Sequence, residues 1–167
     1  MDFSKELLYS MRMSQKLLQF CPTASETLQI ACRAQHICRW KIAREEFPMD
    51  RVGYLKWRET LKKMHAEITA EILKDVGYDA QFIERVSFLI HKKMIKKDEE
   101  SQTIEDVICL VFLDYYFEEF NKKHDDEKII SILQKTWVKM SKEGQEFALQ
   151  LSFSTKGLSL IKQALNL

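Results

Sequence analysis

Residues 107–117 read VICLVFLDYYF, and only Asp114 interrupts the apolar run. A helix that is apolar nearly all round belongs at the centre of its domain. The rest of the chain says which kind of domain that is. There are four glycines and two prolines among 167 residues, about a third of the usual share. Sheet proteins need many tight turns, and turns are built from those two residues. β-Sandwiches, barrels and doubly wound nucleotide folds are therefore close to excluded, and an all-α domain is expected.

Working outward, the helix opens near Thr103, after a polar connection over residues 98–102. Asp125 or Asp126 caps the next helix, which runs to about Met140. Two shorter helices follow, near residues 143–151 and 155–166. On the N-terminal side a first helix covers about residues 3–19 and stops at Cys21-Pro22. Thr23 and Glu26 have capping-box spacing and start a second, expected to reach Ile42. Pro48 breaks the pattern. A long helix over residues 51–76 ends at Gly77, and Asp79 caps another that runs to about Ile95. The expectation is one globular domain, residues 1–167, of seven or eight helices.

The charge is uneven. The formal net charge is +1, which excludes a generally cationic nucleic-acid binder. Residues 1–97 carry 18 Lys/Arg and 12 Asp/Glu, and residues 98–167 carry 8 and 13. The sharpest basic stretch, residues 33–63, has nine Lys/Arg against four Asp/Glu. Cys21, Cys32, Cys38 and Cys109 form no CxxC pair. They read as free thiols in a reduced, cytoplasmic protein. No signal peptide is evident, and no apolar run approaches the ~20 residues of a membrane span.

Three polar positions fall on or beside apolar stripes. On the long helix the stripe is Tyr54, Arg58, Leu61, His65, Ile68 and Ile72, which turns His65 inward. On the central helix Asp106 shares a stripe with Leu110, Leu113 and Phe117, and Glu105 lies beside it with Ile108 and Phe112. His36 sits among Cys32, Arg33, Arg39 and Trp40. A buried carboxylate needs a partner. One reading is a metal site: two imidazoles and a carboxylate enclose a divalent ion that activates water. Arg39, Arg44, Arg58 and Lys62 then hold a phosphate. Trp40, Tyr54 and Trp57 interleave with these cations and offer stacking surfaces. The other reading is structural, with His36 and His65 as core histidines and Asp106 in a buried ion pair with Arg58 or His65. Glu67 and Glu71, one turn apart, read first as a solvated face. No P-loop, GxGxxG, GxSxG or HExxH motif is present.

Residues 33–68 (RAQHICRWKIAREEFPMDRVGYLKWRETLKKMHAEI), with QTIEDVICLVFLDYYF and KHDDEKIISILQKTWVKMS, resemble the DUF4202 family, a domain of unknown function. The likeness runs from about Glu6 to the C-terminus. A more distant resemblance is to HD-domain phosphohydrolases, helical enzymes with an H…HD…D metal pattern. It implies an HD-like core and a bound divalent ion (Mn, Fe, Co, Ni or Zn). His36 matches the first histidine and Asp106 the last aspartate. His65 is followed by Ala66, so the central HD pair is incomplete.

The expected function is a metal-dependent phosphohydrolase acting on a phosphate-bearing, nucleotide-like small molecule. His36, His65 and Asp106 would hold the ion, and Glu67 or Glu105 would serve as extra ligand or general base. The alternatives are a non-catalytic nucleotide- or RNA-binding module, RNA being less favoured, and a protein-interaction adaptor.

Overall fold

The computed structural model describes residues 4–167. Among these, nine α-helices and no strand are found: α1 (Lys5–Phe20), α2 (Glu26–Arg33), α3 (Arg51–Asp75), α4 (Ala80–Ile90), α5 (Glu99–Val111), α6 (Phe117–Lys123), α7 (Asp126–Lys139), α8 (Lys142–Ala148) and α9 (Thr155–Leu165). The expected all-α class is observed. Two compact units divide the chain, Met1–Met94 and Ile95–Leu167. The boundary nearly coincides with the change in charge sign.

Helix starts follow local chemistry. Ser4, Ser25, Asp50, Asp79, Asp98, Asp125, Ser141 and Ser154 each precede a helix and accept a hydrogen bond from the backbone N–H three residues on. Each such cap contributes about 1 kcal/mol. Helix α2 thus starts at Ser25, not from a Thr23–Glu26 box. Glu26 instead accepts a hydrogen bond from the Tyr78 hydroxyl. Helix α5 begins four residues before the expected Thr103, because Asp98 caps it at 3.0 Å from the Ser101 N–H.

Two helix ends also differ from expectation. Helix α2 stops at Arg33, where Gln35 Nε2 donates to the Ala31 carbonyl at 2.9 Å. That is the carbonyl which the Gln35 backbone N–H would use in a continuing helix. Cys38 then takes a left-handed φ of 53°, and residues Arg39–Lys41 form a single 3₁₀ turn. His36 accordingly lies in a turn and not on a helix face. Helix α4 ends at Ile90, and Lys92, Met94 and Lys96 all have positive φ in the segment that follows. The end of α3 is as expected. Gly77 has φ 93°, the Tyr78 N–H reaches the Leu73 carbonyl at 3.0 Å, and the Gly77 N–H reaches that of Lys74 at 3.1 Å. This is a Schellman motif.

In the first unit α1 packs on α2, and α4 packs on both α2 and α3. Met13, Leu17, Ala31, Cys32, Leu61, Leu73, Val86 and Leu89 are buried there. In the second unit α5 lies against α7 and α8, and α9 against α6 and α7. Its central helix is interrupted by a π-helical segment, Phe112–Tyr116, between α5 and α6. Ile104, Val107, Leu110, Leu113 and Phe117 are buried along it, as the apolar run requires. All four cysteines are free thiols. Among the described residues no helix is long and apolar enough to cross a membrane.

Candidate functional site

The buried face of α3 carries Gly53, Trp57, Leu61, His65, Ala66, Thr69 and Leu73. It is rotated from the sequence-derived stripe at both ends, keeping Leu61 and His65. Tyr54 and Ile72 are exposed, and Arg58 is half-buried at the edge. Rotation brings Trp57 inward, where its indole N–H donates to the Ile42 carbonyl at 3.0 Å. The turn after α2 is thereby tied to α3.

His36, Arg39 and Trp57 form a layered group. The His36 ring stacks on Tyr9, with centroids 3.7 Å apart and planes inclined by 13°. Arg39 Nη1 approaches His36 Nε2 at 2.6 Å. A guanidinium only donates, so Nε2 accepts and the imidazole proton sits on Nδ1. The same guanidinium lies 4.7 Å from the Trp57 ring centroid. Arg44 lies 5.9 Å from the rings of both Tyr54 and Trp57. It also donates to the Phe47 and Asp50 carbonyls at 3.1 and 3.2 Å. Arg58 is 5.8 Å from the Tyr54 ring and donates to its hydroxyl at 3.0 Å. Three guanidinium groups thus share two aromatic side chains, Tyr54 and Trp57. None of them forms an ion pair with a carboxylate among the described residues.

The electrostatics follow from that crowding. Burial, then Arg39, His65, Arg58 and Lys92, push the His36 imidazole far below its ordinary value. His65 is 3% exposed. Its pKa is lowered to about 4, first by burial, with Arg39, Lys92 and Arg58 adding to it and a hydrogen bond to the Ile37 backbone opposing it. Arg39 is lowered by burial and by Arg58, against smaller raising effects of Tyr9, Tyr54 and Glu6. Both imidazoles are neutral at pH 7, and their strongest charged neighbours are cations.

Lys62 is paired with Glu59 at 2.5 Å. Glu67 is on the exposed side of α3, 3.9 Å from Lys63, about 200° around the helix from His65. Trp40 is 63% exposed. Glu105 and Asp106 are buried in the second unit. Asp106 Oδ1 accepts from the Ser141 N–H at 2.7 Å and from Gln102 Nε2 at 3.1 Å, and Oδ2 accepts from Ser141 Oγ at 2.6 Å. Burial raises its pKa, which these hydrogen bonds partly offset.

The His36 Nε2 lone pair is used by a guanidinium, and both Asp106 oxygens are occupied within their own unit. Among the described residues no group of three His, Cys, Asp or Glu side chains is arranged to hold a metal. Sequence reasoning missed Tyr9 and Lys92, which are brought to the histidines by packing and carry no motif.

No curated protein and no solved structure matches the chain, and the resemblance to HD-domain phosphohydrolases finds no support in these comparisons. One family model, described as a domain of unknown function (DUF4202), does match, over residues 1–161. With nearly the whole chain covered, the protein belongs to the DUF4202 family.

Proposed function

We propose that the first unit binds a phosphate-bearing small molecule at the Arg39, Arg44 and Arg58 cluster, as a binding module and not as a metal-dependent hydrolase. The observation that carries this reading is three guanidinium groups held on Tyr54 and Trp57 with no carboxylate in ion-pair contact among the described residues. Like charges gathered this closely repel one another, and an anion relieves that repulsion. Guanidinium forks match phosphate geometry with two parallel hydrogen bonds. The stacked rings fix the forks in advance, which lowers the ordering cost of binding. Lys62, already paired with Glu59, contributes less than the arginines.

The test is a thermal melt with inorganic pyrophosphate and with nucleoside monophosphates, in the presence of EDTA. The melting temperature should rise with ligand concentration and be indifferent to the chelator. Arg58→Gln should lose most of the rise, and Lys62→Gln should keep it. No rise with either ligand, or a rise only when metal is restored, overturns the reading.

A further inference from the structure

The side of α3 turned away from its buried face is not uniformly polar near its start. Val52 is 60% exposed and Leu55 53%, and Met49, just ahead of the Asp50 cap, is 74% exposed. Large apolar side chains gathered in the open and rimmed by charge mark an interaction surface. The core of this stretch is made without them, by Gly53, Trp57 and Leu61.

Helix geometry joins these residues to the arginine cluster. Each residue advances the helix by about 100°, so Tyr54, Arg58, Arg51, Leu55, Val52 and Lys56 follow one another around α3 through an arc of about 200°. One edge of that arc is the anion cluster itself, where Tyr54 carries Arg44 and Arg58. Cations stand on both sides of the apolar pair, Arg58 and Arg51 on one and Lys56 on the other. Arg51 and Lys56 are exposed and have no carboxylate in ion-pair contact among the described residues. The carboxylates nearby are engaged. Asp50 accepts from the Gly53 N–H at 2.7 Å, and Glu59, one turn beyond Leu55, is paired with Lys62 at 2.5 Å.

An apolar strip between unmatched cations fits a surface that is anionic on top and apolar beneath, which is the layering of an anionic bilayer. Long Lys and Arg stems let the charged heads stay at headgroup level while aliphatic side chains go deeper. The face belongs to a convex helix, so a flat partner reaches it without a groove. Resting on the anion-site reading, we propose that this face of α3 docks on an anionic phospholipid bilayer. Val52 and Leu55 enter the boundary between headgroups and acyl chains, and Arg51, Lys56 and Arg58 hold lipid phosphates. The phosphate taken by the arginine cluster is then a lipid headgroup.

Sedimentation with vesicles, read beside the pyrophosphate melt, separates a bilayer from free phosphate. The vesicles are phosphatidylcholine alone and phosphatidylcholine with about 30% phosphatidic acid. The wild-type protein should sediment with the second and stay in solution with the first. Val52→Gln combined with Leu55→Gln, both at exposed positions, should weaken vesicle binding at least about ten-fold, because burying one such aliphatic side chain is worth that factor. The same variant should keep the pyrophosphate shift unchanged, whereas Arg58→Gln should lose both. Equal binding to both vesicles, no binding to either, or binding that survives the double substitution overturns the inference; with the pyrophosphate shift intact, the anion site stands. Dimerisation in sedimentation velocity, or retention on polyglutamate, that the double substitution abolishes would assign the face to a second copy or to an acidic protein and overturn it as well. Absence of vesicle binding together with absence of the pyrophosphate shift overturns both readings.

Discussion

Asp106 and Ser141 are joined by two hydrogen bonds, from the Ser141 N–H at 2.7 Å and from its Oγ at 2.6 Å. Ser141 is also the N-cap of α8, its Oγ accepting from the Gly144 N–H at 3.0 Å. The carboxylate thus sits at the N-terminus of a helix, where negative charge is favoured. Glu118 and Ser154 repeat the arrangement at α9, with 3.0 Å to the Ser154 N–H and 2.9 Å to its Oγ. The inward carboxylate that invited a metal reading has an architectural use in its own unit.

Asp106→Ala should therefore lower stability to urea by about 3 kcal/mol, because a half-buried N–H and hydroxyl lose a charged acceptor. Ser141→Ala should cost less, about 1–2 kcal/mol, the range of a lost cap. An Asp106→Ala protein as stable as wild type would return that carboxylate to the list of free functional groups.

Gly144→Ala and Gly157→Ala should both destabilise, by about 1–3 kcal/mol, although alanine is the better helix former. A Cβ at Gly144 would stand 2.7 Å from Asp106 Oδ1, and one at Gly157 would stand 2.8 Å from Glu118 Oε1. Urea midpoints check this. A stabilising Gly144→Ala would show that α8 docks less closely on α5 than described.

Acidification should weaken the fold in the histidine range. His36 and His65 both have lowered folded values, so the unfolded chain takes up protons first. Their contribution is complete above the unfolded value near pH 6.5 and is lost as pH falls toward the folded values. For His65 the loss runs to about 4. Each histidine gives a slope of about 1.4 kcal/mol per pH unit within that window. Asp106, raised by burial, acts in the opposite sense, adding stability at low pH that is lost as pH rises. Denaturant midpoints between pH 7 and pH 5 should fall in wild type and fall less steeply in His36→Asn.

Gly53→Ala should damage stability and anion binding together. A Cβ there would lie 1.9 Å from the Pro48 carbonyl oxygen, so the loop that carries Arg44 must move off α3. A loss beyond about 3 kcal/mol is expected, with weaker pyrophosphate binding in whatever protein remains folded. Unchanged binding would place the anion away from this loop.

Much of this was legible in the residues. The poverty of glycine and proline decided the class, and the run from Val107 to Phe117 located the centre of the second unit. The stripe through Asp106, Leu110, Leu113 and Phe117 is buried as its spacing implied. The ends of α2 and α3's burial face were not legible. Helix α2 ends on a Gln35 side-chain bond and a left-handed Cys38, neither of which leaves a Gly or Pro signal. The inward turn of Trp57 depends on the Ile42 carbonyl, fifteen residues away. Of the partners of Asp106, Gln102 is one turn away on the same helix, but Ser141 lies thirty-five residues on, where spacing rules for one helix do not reach.

The π-helical segment sets the phase of the second unit. Asp106 and Glu118 are twelve residues apart, which in an unbroken α-helix places them about 120° from each other. The segment at Phe112–Tyr116 absorbs one residue without advancing the helix, taking back about 100°. The two carboxylates then come within about 20° of one azimuth, one above the other. Ser141 and Ser154, thirteen residues apart, dock on them in succession. Deleting one residue between 112 and 116 would leave a regular helix with the two carboxylates eleven residues apart, still within about 20° of one azimuth, so both serine anchors should survive the deletion.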